Sequence, residues 1–262
     1  MDSLNQHDPK SRKGGGSVKL AELAGTLVLA LALAPLLSGC VAKPEIATPT
    51  PQELEVTRLS LTAADGKKLD GMLFSGDKDK GIGVVLAHMG AHSADQTSWI
   101  SFARSAAEEG FEALTFNFRD DRSQLDLDVR AAIAYLRSQG CQKIVCIGAS
   151  MGGTACLKAA GEEDLAGLVV ISSLWTTGSG PTGGALVASS ADVTKLTLPK
   201  LFITTEDDGN GVPATMEAIY ALAPEPKTFV SFPGAVHGTD IFFSSQADEF
   251  RNLLLQFLED LR

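Results

Sequence analysis

The chain has 262 residues, 44% hydrophobic and 21% charged, which suits one or two globular domains and excludes a disordered chain. Its formal net charge is −10 and no basic stripe appears, which argues against nucleic acid as a partner.

Residues 1–39 read as an export signal rather than as part of the fold. A polar stretch with Lys10, Arg12, Lys13 and Lys19 precedes the apolar run Ala24–Leu37. That run is broken by Pro35 and is short for a membrane span, which needs roughly 20 apolar residues. Its end, Leu37-Ser38-Gly39-Cys40, resembles the lipobox of bacterial lipoproteins. The resemblance implies cleavage before Cys40, a diacylglyceryl thioether on its sulfur and an acylated new N-terminus. The product would be an exported lipoprotein, membrane-anchored on the extracytoplasmic face of the cell envelope. Val41 stands where an aspartate is associated with inner-membrane retention in Gram-negative bacteria, which leans toward the outer membrane. The proline-bearing stretch that follows, within residues 40–54, reads as a tether, leaving 55–262 as the folded domain.

From Glu55 on, strand and helix signals alternate. Period-2 alternation on both sides of Asp65-Gly66 predicts a β-hairpin. The continuous apolar run "GIGVVLAH" predicts a strand buried on both faces. "DQTSWISFARSAAEEG" has helical spacing, "FEALTFNF" is a strand and "LDLDVRAAIAYLRSQG" a helix. The strand "KIVCIG", the helix "MGGTACLKAAG" and the strand "LAGLVVISS" follow. A Gly/Ser/Thr-rich connection, Leu174–Thr197, has no long helical insertion. The chain ends with the strand "KLFITT", the helix "PATMEAIYALA", the strand "KTFVSF" and the helix "SSQADEFRNLLLQFLEDL". A hairpin followed by strand–helix alternation predicts a mostly parallel sheet of about eight strands, with helices on both faces.

Gly148-Ala149-Ser150-Met151-Gly152 fits G-x-S-x-G, with an apolar strand running in and a helix running out. That is the setting of a nucleophile elbow, where a strained turn presents the serine and the flanking glycines let strand and helix crowd together. A P-loop would need Gly-Lys-Ser/Thr, and no lysine follows before Lys158. A serine hydroxyl needs a base. Outside the leader the histidines are His88, His92 and His237, and His237 lies in the loop after the last strand. The strand between Ser150 and His237 ends in Glu206-Asp207-Asp208, so the order Ser…Asp…His is met by Asp208, with Asp207 second. Cys141, Cys146 and Cys156 lack the spacing of a metal site and read as structural thiols.

With "GASMGG", "LAHMG", "TTEDDG" and "PGAVHG" in this order, the chain resembles the α/β-hydrolase-fold serine hydrolases, and within them the small dienelactone-hydrolase-like esterases. The resemblance covers about Val56–Arg262. It implies an α/β-hydrolase fold without a large lid, a Ser150–His237–Asp208 triad and hydrolysis of a small acyl ester through an acyl-enzyme, with no metal or organic cofactor. It also implies oxyanion donors at the N–H of Met151 and of Gly90, with Met89 as the alternative, and a structural His88. Trp175 is a candidate pocket wall. The dienelactone hydrolases proper use a cysteine nucleophile, so Ser150 does not imply that activity. Many relatives carry a glycine-rich loop where this chain has "FRDDRSQLD", which bears on the shape of the pocket wall. An acyltransferase would use the same residues, and a non-catalytic envelope-binding lipoprotein could reuse the scaffold.

Overall fold

A computed structural model describes residues 54–76, 81–90, 94–181 and 183–262. The leader, Cys40, nearly all of the tether and His92 lie outside the described residues.

The core is an eight-stranded sheet with strand order β1-β2-β4-β3-β5-β6-β7-β8. β1 (Val56–Thr62) and β2 (Lys68–Phe74) pair antiparallel, with Val56 opposite Phe74 and Thr62 opposite Lys68. Gly66, at φ 85°, closes their turn, where its N–H donates to Ala63 O. β2 also pairs antiparallel with β4 (Glu112–Phe116). β3 (Ile82–Ala87) lies between β4 and β5 (Lys143–Ala149), and every pairing from β4 through β6 (Gly167–Ile171) and β7 (Lys200–Thr205) to β8 (Lys227–Phe232) is parallel.

The unbroken apolar strands of the sequence serve two layers at once. On one face Val85, Cys146, Val170 and Phe202 meet helices α2 (Leu125–Ser138), α3 (Met151–Ala160) and α5 (Val212–Leu222). On the other, Val84, Leu86, Ile147, Val169 and Ile203 meet α1 (Ile100–Glu108) and α6 (Ala247–Glu259). Alternate residues of one strand feed opposite layers because side chains alternate across a pleat. The helices answer with stripes at 3–4 residue spacing: Leu125, Val129, Ala132, Ile133 and Leu136 on α2 are all buried.

Two boundaries differ from the sequence reading. The stretch before α1 is a 3-10 turn, Gln96–Trp99, started where Asp95 accepts the Thr97 N–H at 2.8 Å. α6 starts at Ala247 because Ser244 is extended and its hydroxyl donates to Ile241 O at 2.8 Å, ending a 3-10 turn over Gly238–Phe243. Among its described residues the connection from β6 to β7 carries α4 (Ser190–Thr194), with a capping box at Ser189, and a bridge from Thr176 to Val187.

Candidate active site

Ser150 sits between β5 and α3 with φ 50° and ψ −117°, a backbone conformation that L-residues rarely adopt. Neighbouring groups hold it there. Its N–H donates to Ile171 O at 2.7 Å, and its carbonyl accepts from Thr154 N–H at 3.1 Å and from Ser173 Oγ at 3.0 Å. The flanking glycines are sterically required. A Cβ on Gly148 would lie 2.4 Å from Gly152 O, and one on Gly152 would lie 2.3 Å from Ala87 O.

His237 follows β8. Its Nδ1 lies 2.8 and 3.0 Å from the two carboxylate oxygens of Asp208. Since a carboxylate only accepts, Nδ1 carries a proton, and in the neutral ring that leaves the lone pair on Nε2. The Asp208 side chain is 2% exposed and that of His237 is 37% exposed, so the acid is buried while the ring reaches solvent. Glu206 and Asp207 are both exposed. The structure therefore sets Asp208, not Asp207, against the imidazole. The acid and histidine loops are laced together: Glu206 N–H donates to Phe232 O, Asp207 N–H to Gly234 O, and Thr205 Oγ1 to Val236 O at 2.9 Å. Gly238, at φ 57°, lets the loop pass close to Met89, whose sulfur would lie 3.0 Å from any Cβ there.

Ser150 and His237 face one cavity of about 320 Å³, also lined by Met89, Gly90, Met151 and Leu174. Among the described residues no hydrogen bond joins Ser150 Oγ to the imidazole; in ligand-free hydrolytic sites this contact is often long and tightens around substrate.

The segment after β3 is pinned by His88. Its Nδ1 lies 2.8 Å from Met89 O, and Phe118 N–H donates to its Nε2 at 3.2 Å. A carbonyl only accepts and a peptide N–H only donates, so this ring is neutral with its proton on Nδ1. Burial holds its pKa below the ordinary histidine value. Carbonyl and following N–H point opposite ways in a trans peptide, so fixing Met89 O on the ring turns the Gly90 N–H away from it. Gly90 packs on Met151, whose Cβ would be 3.3 Å from a Cβ at that glycine.

Two pocket features escaped the sequence reading. Arg122 lines the cavity, and its Nη2 donates to Gly90 O at 3.1 Å. It also borders a second, polar hollow of about 270 Å³ with Asp95, Asn117 and Asp120. Leu174, not Trp175, lines the Ser150 cavity; Trp175 packs instead against the core layer under α3. Among the described residues no group of three or more His, Cys, Asp or Glu side chains is placed to hold a metal ion.

No family model matches the sequence, and no significant match emerges among curated proteins. Solved structures do match. The esterase domain of a Rhodothermus marinus protein superposes with TM-score 0.61 at 19% identity, over 78% of this chain and 96% of that one. A thermophilic esterase from Thermogutta terrifontis gives 0.62 at 18%, over 78% and 99%. An α/β serine hydrolase without lid from Xanthomonas campestris gives 0.60 at 19%, over 79% and 94%. The chain has the α/β-hydrolase fold. Ser150, Asp208 and His237 all follow the C-terminal ends of sheet strands, β5, β7 and β8 respectively.

Proposed function

We propose that the chain is a serine hydrolase that cleaves the ester bond of a small acyl substrate. One observation carries this reading: a buried Asp208 holds His237 with its free Nε2 available, and that ring shares a cavity with Ser150 on a strained strand–helix turn. In the proposed scheme His237 Nε2 takes the Ser150 proton as Oγ attacks the acyl carbonyl. Asp208 keeps the imidazole in the Nδ1–H tautomer and stabilises the imidazolium. The N–H groups of Met151, at the start of α3, and of Gly90 receive the oxyanion, and each such donor lowers the barrier by about 3–4 kcal/mol. The pinned Met89 carbonyl favours Gly90 over Met89 as the second donor. His237 then returns the proton to the leaving alcohol, and water, activated by the same ring, releases the acid. The esterase names of the structural neighbours support the same reaction class.

A fluorophosphonate probe tests the reading. Intact protein is expected to be labelled and to hydrolyse p-nitrophenyl esters, and Ser150→Ala to do neither. Equal labelling of wild type and Ser150→Ala would sink it. Product analysis with an added alcohol separates hydrolysis from acyl transfer. The lipobox-like Cys40 supports envelope anchoring as part of the same proposal. Cys40→Ala is expected to move the protein from the membrane to the soluble fraction and to abolish metabolic incorporation of palmitate.

A further inference from the structure

We propose that Cys146 and Cys156 are a disulfide-forming pair, a covalent brace across the turn that carries Ser150. Cys146 lies on β5, four residues before Ser150, and Cys156 on α3, six residues after it. Both are fully buried in the same core layer, and their sulfurs lie 2.8 Å apart. A sulfur–sulfur bond of about 2.05 Å therefore requires only a small closure. Both cysteines are thiols in this structure. The bond would close an eleven-residue ring, Cys146 to Cys156, containing the serine at φ 50° and the glycines in mutual contact. That turn is held by strand and helix staying together, and the bond would tie one to the other.

The chemistry is two successive exchanges with a disulfide-bearing oxidant. One cysteine thiolate attacks a sulfur of the oxidant and releases the first thiol. The second thiolate attacks the protein sulfur of the mixed disulfide and releases the second thiol. Two cysteine thiols and one oxidant disulfide give one protein disulfide and two small thiols, and the two cysteine protons end on those thiols. Burial sets the timing. In the folded chain no oxidant reaches either sulfur, and burial raises the Cys156 pKa, keeping it a thiol. Exchange therefore belongs to folding, before the layer between β5 and α3 closes.

The full chain, refolded with oxidised and reduced glutathione, is denatured in iodoacetamide without reduction and cut with trypsin. Both cysteines fall in one peptide, Ile144–Lys158, while Cys141 falls in another and reports complete labelling. The expected Ile144–Lys158 peptide is two hydrogens lighter than the dithiol and carries no alkyl group. The same peptide with two alkyl groups overturns the proposal. In melting experiments a phosphine reductant present during refolding is expected to lower Tm by about 5–10 °C, and this shift to vanish in Cys156→Ala. Neither readout depends on hydrolysis, so this proposal and the hydrolase reading stand or fall separately.

Discussion

Asp208 and Asp207 are adjacent in sequence and opposite in environment. The buried carboxylate accepts a hydrogen bond from the Nδ1–H of His237, while Asp207 is turned out to solvent. Asp208→Asn keeps the shape but offers an amide that favours the wrong tautomer, so kcat should fall by about 10⁴-fold on a reporter ester. Asp207→Asn should stay within about twofold. Comparable losses in both variants would remove Asp208 from the scheme. His88 gives a different signature, because its bonds to Met89 O and Phe118 N–H require the neutral ring. In the unfolded chain it ionises near the ordinary 6.5, and in the folded chain lower. Between those two values the unfolded state binds a proton that the folded state excludes. Its contribution to stability is therefore complete above about pH 6.5, falls as pH drops through that value and levels off below the folded one. Urea midpoints of wild type and His88→Gln are expected to converge between pH 7.5 and pH 5. A gap constant with pH would show that the ring is not held neutral.

The elbow is the element on which the site turns. β5 and α3 approach so closely that Gly152 sits against the Ala87 and His88 carbonyls at the end of β3, the strand that leads to Gly90. Gly152→Ala would push backbone against backbone, where no side chain can yield, and should cost about 1–3 kcal/mol of stability with a larger loss of kcat than of binding. Gly66→Asn, in the open hairpin turn, is the control and should be nearly neutral, since nothing lies within 4 Å of a Cβ there and Asn tolerates positive φ. This element was legible in the sequence because a steric rule ties the two glycines to the serine. The strands were legible for a similar local reason: runs such as "GIGVVLAH" have no polar face to offer solvent. Start points were less so. Whether Ser244 opens the last helix or stops the turn before it depends on which way its hydroxyl points, and periodicity does not carry that. The pocket wall was least legible. Arg122 is one charge among several in "FRDDRSQLD", and its bond to Gly90 O joins residues 32 apart in the chain.

At the scale of the whole molecule the same segment has a second role, through Arg119. Its side chain is 5% exposed and meets Asp128 on α2, Asp65 in the β1–β2 turn and Gln124. Its N–H and Nε both donate to the Asp128 carboxylate, at 3.0 and 2.7 Å. One guanidinium thus fastens the antiparallel edge of the sheet to the helix layer that also packs on α3. The arrangement is held together rather than intrinsically favourable: burial pushes the Asp128 carboxyl above the ordinary carboxylate pKa despite its cationic partner. Removing only the cation should therefore be severe. Arg119→Met leaves a fully buried carboxylate without its counter-charge, a loss of about 3–5 kcal/mol, or roughly 10 °C in Tm. Adding Asp128→Leu removes the stranded charge and should restore most of that stability, because a buried pair is often matched by apolar packing. Urea unfolding of both single variants and the double variant measures the coupling. Strict additivity would mean that Arg119 and Asp128 act independently. Strong recovery in the double variant would show the pair to be a joint between hairpin and helix layer that stabilises the fold only while both halves are present.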